Sequence, residues 1–125
     1  MKNNTKRAVL AILLGCLISC SGPKSDTSIT IKESENIYSL VAYFPVEQTA
    51  RIKRYINSCI SESEFFTPGN DPVDITADLK DNTRFRIKSK NGKLLIELKK
   101  SENTEASLQR IKKMCEGIKQ VLAES

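Results

Sequence analysis

Six cations share one side of a short stretch of this chain. Arg84, Arg86, Lys88 and Lys90 alternate up to Asn91-Gly92, and Lys93 and Lys99 continue the series, with Glu97 alone opposing them. Alternate side chains of a strand share a face. The spacing therefore sets out a basic surface able to meet an anionic partner: lipid head groups, lipopolysaccharide phosphates, an acidic protein or acidic cell-wall material. Lysines placed this way equally keep an exposed hairpin soluble and unable to pair edge to edge. Upstream, Glu62, Glu64, Asp71, Asp74, Asp78 and Asp81 are set against Lys80. They lack the Asp-x-Asp-x-Asp-Gly spacing of a calcium loop and read as a solvated stretch that partly balances the basic one. Histidine is absent, which excludes a Ser-His-Asp triad, a Cys-His pair and His-ligated zinc; no Gly-rich phosphate loop or Gly-x-Ser-x-Gly elbow is present either. Two carboxylates alone serve a glycosidase, but such enzymes need a deep cleft that about a hundred residues rarely build. No catalytic residue, metal site or cofactor is expected.

The remaining reactive groups are thiols, and one of them closes an N-terminal pattern. Lys2, Lys6 and Arg7 precede a mostly apolar run from Ala8 to Ile18, and Leu17-Ile18-Ser19-Cys20 ends it. As a helix the run reaches only about 17 Å, against a hydrocarbon core of about 30 Å, so it cannot span a bilayer. An ordinary cleaved signal would carry an Ala-x-Ala-like site, which this stretch lacks. The segment resembles the signal of bacterial lipoproteins, with Leu17 to Cys20 as the lipobox. That resemblance implies a diacylglycerol on the Cys20 thiol, cleavage before Cys20, and loss of residues 1–19. Two or three acyl chains would then hold the domain at a membrane. Ser21 after the lipidated cysteine, rather than Asp, goes in enteric bacteria with transfer to the outer membrane, facing the periplasm.

Compartment and charge follow from the resemblance. Without Lys2, Lys6 and Arg7 the net charge drops from +5 to +2, which argues against a general polyanion binder, and export makes nucleic acid an unsuitable partner. Cys59 and Cys115 remain once Cys16 is removed and Cys20 is acylated. An even number of cysteines in an exported chain reads as a disulfide. Closing that loop of about 57 residues would stabilise by roughly 4 kcal/mol in the chain-entropy model. The alternative is two buried free thiols packing as small hydrophobes.

These groups must be positioned by a domain over 29–125, joined to Cys20 by a small, polar, flexible tether over 20–28. Ile29 and Ile31 alternate with polar residues as in a strand. Ile37 to Phe44 is apolar on both faces, with Ile37, Val41 and Tyr43 on one and Leu40, Ala42 and Phe44 on the other, and so belongs near the centre of a sheet. Pro45 suits the first position of a helix running to about Glu62, with Ile52, Ile56, Cys59 and Ile60 on its apolar stripe. A loop over 63–72, with Pro68-Gly69-Asn70-Asp71-Pro72, leads to a short strand over 73–80. Asn91-Gly92 predicts a type I′ turn. A two-residue loop pairs Lys90 with Lys93, Ile87 with Ile96 and Arg86 with Glu97, segregating apolar from charged residues. Asn103 or Thr104 caps a last helix with Leu108, Ile111, Cys115, Ile118 and Leu122 on one stripe, weakened by Gly117.

The sum is β-β-α-β-β-β-α: an α+β two-layer sandwich with two amphipathic helices on one face of an antiparallel sheet. It is expected to be a monomer or, through the last helix, a weak homodimer. In function the sequence points to a lipid-anchored envelope module that binds a protein partner or plays a structural role. The alternative is binding of an anionic envelope ligand on the basic face of the 84–100 hairpin.

Overall fold

Strand and helix follow the periodicities of the sequence closely. The computed structural model describes residues 26–60 and 72–124. Cys20, the run before it, most of the tether and the loop over 63–71 lie outside them. The elements are β1 (Ser28–Glu33), β2 (Ile37–Tyr43), α1 (Thr49–Ile60), β3 (Val73–Asp78), β4 (Arg84–Lys90), β5 (Lys93–Lys99) and α2 (Glu105–Ala123), with 3-10 turns at Val46–Gln48 and Lys100–Glu102. One sheet of order β1-β2-β5-β4-β3 contains all five strands, and each neighbouring pair is antiparallel. Both helices pack on one face, giving the expected α+β two-layer sandwich.

Register places every buried strand residue under the helices. Tyr38, Leu40, Ala42, Ala77, Phe85, Ile87, Leu94, Ile96 and Leu98 form one cluster with Ile52, Ile56 and Ile60 of α1 and with Leu108, Ile111, Met114, Cys115, Ile118 and Leu122 of α2. A stripe at three- and four-residue spacing meets alternate residues of the strands, so the two periods interlock, and among the buried polar residues the Thr83 hydroxyl donates to Ser107 Oγ at 2.8 Å. The helices run antiparallel. Arg51 near the start of α1 pairs with Glu124 after α2 at 3.2 Å, while Arg110 early in α2 donates to the Ile60 carbonyl at the end of α1 at 3.4 Å.

Three expectations are corrected in detail. The β4–β5 hairpin keeps the predicted register, Lys90 opposite Lys93 and Ile87 opposite Ile96, but its turn is not type I′. Positive φ occurs at Gly92 (76°) and not at Asn91, the pattern of a type II turn. Tertiary bonds decide this: the Gly92 carbonyl accepts from Phe44 N–H at 3.0 Å, and Gly92 N–H donates to Thr49 Oγ1 at 3.2 Å. Pro45 caps the 3-10 turn with φ −58° and ψ 141° instead of starting the helix. Finally, β2 is interior, between β1 and β5, yet only one of its faces is covered. Ile37 and Val41 are half-buried and Tyr43 is exposed, because neither helix crosses to their side.

Candidate functional site

The uncovered face of the sheet is where the sequence-predicted cations stand. Strand alternation turns Arg84, Arg86, Lys88 and Lys90 of β4 outward, each exposed between buried neighbours. Lys93, Leu95, Glu97 and Lys99 of β5 share that side, together with Ile37, Val41 and Tyr43 of β2. The centre of the face is apolar: Val41 lies directly opposite Leu95, and both are half-buried. Charged and polar side chains surround this centre.

The six basic residues do not act as one patch. Arg86 makes two 3.0 Å hydrogen bonds to the Asp74 carboxylate on β3. That fork holds the Asp74 carboxyl below the usual carboxylate range. Arg84 lies 3.6 Å from Asp78 and 3.8 Å from Glu102. A shallow depression of about 190 Å³ between Arg84, Arg86, Glu97, Lys99 and Glu102 is therefore already supplied with both signs of charge. Lys88, Lys90, Lys93 and Lys99 form no ion pair among the described residues. Lys93 Nζ instead sits 5.4 Å from the centroid of the Tyr43 ring. Part of the acidic stretch balances the hairpin: Asp74 and Asp78 pair with its arginines, whereas Asp81 pairs with Arg110 of α2 at 2.8 Å. Glu62, Glu64 and Asp71 lie outside the described residues.

The two candidate disulfide cysteines are free thiols, Cys115 buried and Cys59 half-buried, so the expected bridge is not present. Each lies beside a different phenol. Tyr55 stands one turn before Cys59, and the neighbouring thiol together with burial pushes the Tyr55 hydroxyl up to about 12. Burial pushes the Cys115 thiol up to about 12, against the opposing effect of the nearby Tyr38 hydroxyl. A thiol held protonated in this way is no nucleophile at neutral pH. Cys115 serves the core.

Sequence reading missed the groups that fix the edges of this face. Asn103 is not the helix cap; Thr104 is, accepting from Ser107 N–H at 3.0 Å. Asn103 instead ties the hairpin to α2, accepting from Arg84 N–H at 2.8 Å and donating to the Arg84 and Lys99 carbonyls at 2.9 and 2.8 Å. Glu33 at the end of β1 bridges Lys100 at 2.8 Å and Lys112 at 3.0 Å. Nothing in a linear pattern separates such an Asn or Glu from an ordinary loop residue.

Among the described residues no three metal-binding side chains come together, and no helix is long and apolar enough to cross a membrane. No protein-family model, curated protein or solved structure matches this chain.

Proposed function

We propose that the protein is a small lipid-anchored module of the bacterial cell envelope, attached through Cys20, which works by binding a protein partner on the open face of its sheet. The observation that carries the binding half is the makeup of that face. Val41 and Leu95, directly opposite one another, form a half-buried apolar centre, rimmed by the Arg86–Asp74 and Arg84–Asp78 pairs. An apolar core inside a polar rim is the anatomy of a protein interface. The anchor half is supported by the lipobox ending at Cys20. The placement at the outer membrane rests on Ser21 under the enteric sorting rule, and the domain is taken to face the periplasm. A binding role without catalysis accords with a chain that has no histidine.

One experiment tests both halves. A photocrosslinking residue is placed at Val41, Leu95 or, on the far side of α2, Glu116, in cells fed labelled palmitate. Label in the wild type and not in Cys20→Ala is expected, with a discrete adduct from positions 41 and 95 alone that survives 0.5 M salt. Equal labelling of Cys20→Ala would end the anchor. Equal adducts from all three positions would end the binding face.

A further inference from the structure

We infer that the end of the domain at which the tether enters is a membrane-contact surface, built to rest on the head groups of anionic phospholipids. This surface presupposes the Cys20 anchor proposed above. It is defined by one row across the sheet: Ser28 pairs with Tyr43, Tyr43 with Lys93, and Lys93 with Lys90. Ser28 is the first residue of β1, eight positions after Cys20. Eight residues reach at most about 28 Å, so this end of the domain is held close to whatever surface Cys20 enters.

Three independent features converge there. First, the exposed large hydrophobic side chains among the described residues are Tyr43 (47%) and Val46 (58%). Both stand at this end, Val46 beside Gly92, where a Cβ would lie 3.6 Å from Val46 Cγ2. Second, Lys90 and Lys93 face each other across the turn, with Lys88 one row behind. Like charges directly opposed destabilise a hairpin. No ion pair among the described residues relieves them. Third, the acids in ion pairs with the hairpin and the helix layer lie mostly away from this end. At the opposite end Glu33 is paired with Lys100 and Lys112, Asp78 and Glu102 with Arg84, and Asp81 with Arg110. Asp74, in register with Lys88, is held by Arg86. At the tether end the acids among the described residues are Asp26, Glu47 and Glu124, the last bound to Arg51. Exposed aromatic and aliphatic tips among lysines that form no ion pair within the described residues, Lys93 lying over the Tyr43 ring, match the layering of a lipid interface: anionic phosphates outside, the apolar boundary beneath. A protein surface would offer the acids but no reason for them to lie at the anchor.

The chain has no tryptophan, so Val46→Trp provides a single reporter on an exposed position. The full-length acylated protein is reconstituted into vesicles of phosphatidylcholine, with or without 30% phosphatidylglycerol, and flotation is measured beside quenching by brominated lipid. Glu35→Trp, in the turn between β1 and β2, is the reference. The indole at position 46 is expected to be quenched in anionic vesicles and much less in neutral ones, and the indole at position 35 in neither. Charge reversal of Lys88, Lys90 and Lys93 together should weaken docking by at least roughly a hundredfold, since removal of each lysine charge alone accounts for about fivefold, without detaching the protein. Protein that floats with the position-46 reporter unquenched, or quenched equally with reversed charges, overturns the contact surface and leaves the anchor standing. Protein that does not float overturns both. A blue shift of the Val46→Trp emission without lipid, accompanied by dimerisation, would assign the surface to a second copy of the chain and also overturn the proposal.

Discussion

A Cβ on Gly117 would collide with the Tyr55 hydroxyl and ring, so the residue that weakens α2 on propensity is the notch in which α1 seats its only tyrosine. Glycine in a helix interior costs about 1 kcal/mol relative to alanine. Overpacking a seated ring costs about 1–3 kcal/mol, and the second effect wins here. Gly117→Ala is therefore expected to lower unfolding free energy by about 1–2 kcal/mol in denaturant titrations. In a Tyr55→Ala background the same change should raise it by about 1 kcal/mol, because only the propensity difference remains. Additive effects of the two substitutions would contradict the notch. Glycine at 117 is visible in the sequence as a weak point; its partner 62 positions away is not.

Among the elements, the β4–β5 hairpin shows how far a local signal carries. Asn-Gly and the alternating pattern determine the two-residue loop and the register, since any slip by one residue would turn Phe85, Ile87 and Ile96 to solvent. The turn type escapes that logic. Gly92 is locked between Phe44 and Thr49, at φ 76°, and an added Cβ would lie 2.8 Å from the Phe44 carbonyl oxygen. Gly92→Ala is expected to cost more than the about 1–2 kcal/mol strain of a left-handed alanine alone, read as a lower denaturant midpoint. Asn91→Ala should cost less than Gly92→Ala, because Asn91 does not adopt positive φ; a type I′ turn would penalise both. The helix stripes were likewise legible, Ile52, Ile56 and Ile60 on α1 and Leu108 to Leu122 on α2. The cap was narrowed to two residues, and only the packing of Asn103 against Arg84 and Lys99 left Thr104 to serve.

For the molecule as a whole, ion pairs close the seam between the edge strand and the helix layer. Hydrogen bonds from Lys100 and Lys112 lower the Glu33 carboxyl from its ordinary 4.5. A carboxylate with a depressed folded pKa contributes stability that is present above its unfolded pKa and lost as pH falls through the folded one. Asp74, lowered by Arg86, and Asp81, lowered by Thr83 and then Arg110, act in the same direction. Stability is thus expected to be level near neutrality and to fall below about pH 4.5, with a shallower fall in Glu33→Gln; an unchanged slope in that variant would remove Glu33 from the account. The sequence by itself determined the element order, the hairpin register, the inward faces and the mixed charge of the chain, because strand and helix periods are properties of neighbouring residues. Only the tertiary structure decided which cations keep their charge exposed, that the thiols of Cys59 and Cys115 stay separate, and that one face of β2 remains open. Each of those depends on which distant side chain arrives alongside, and both helices arriving on the same face is a fact of the assembled sheet.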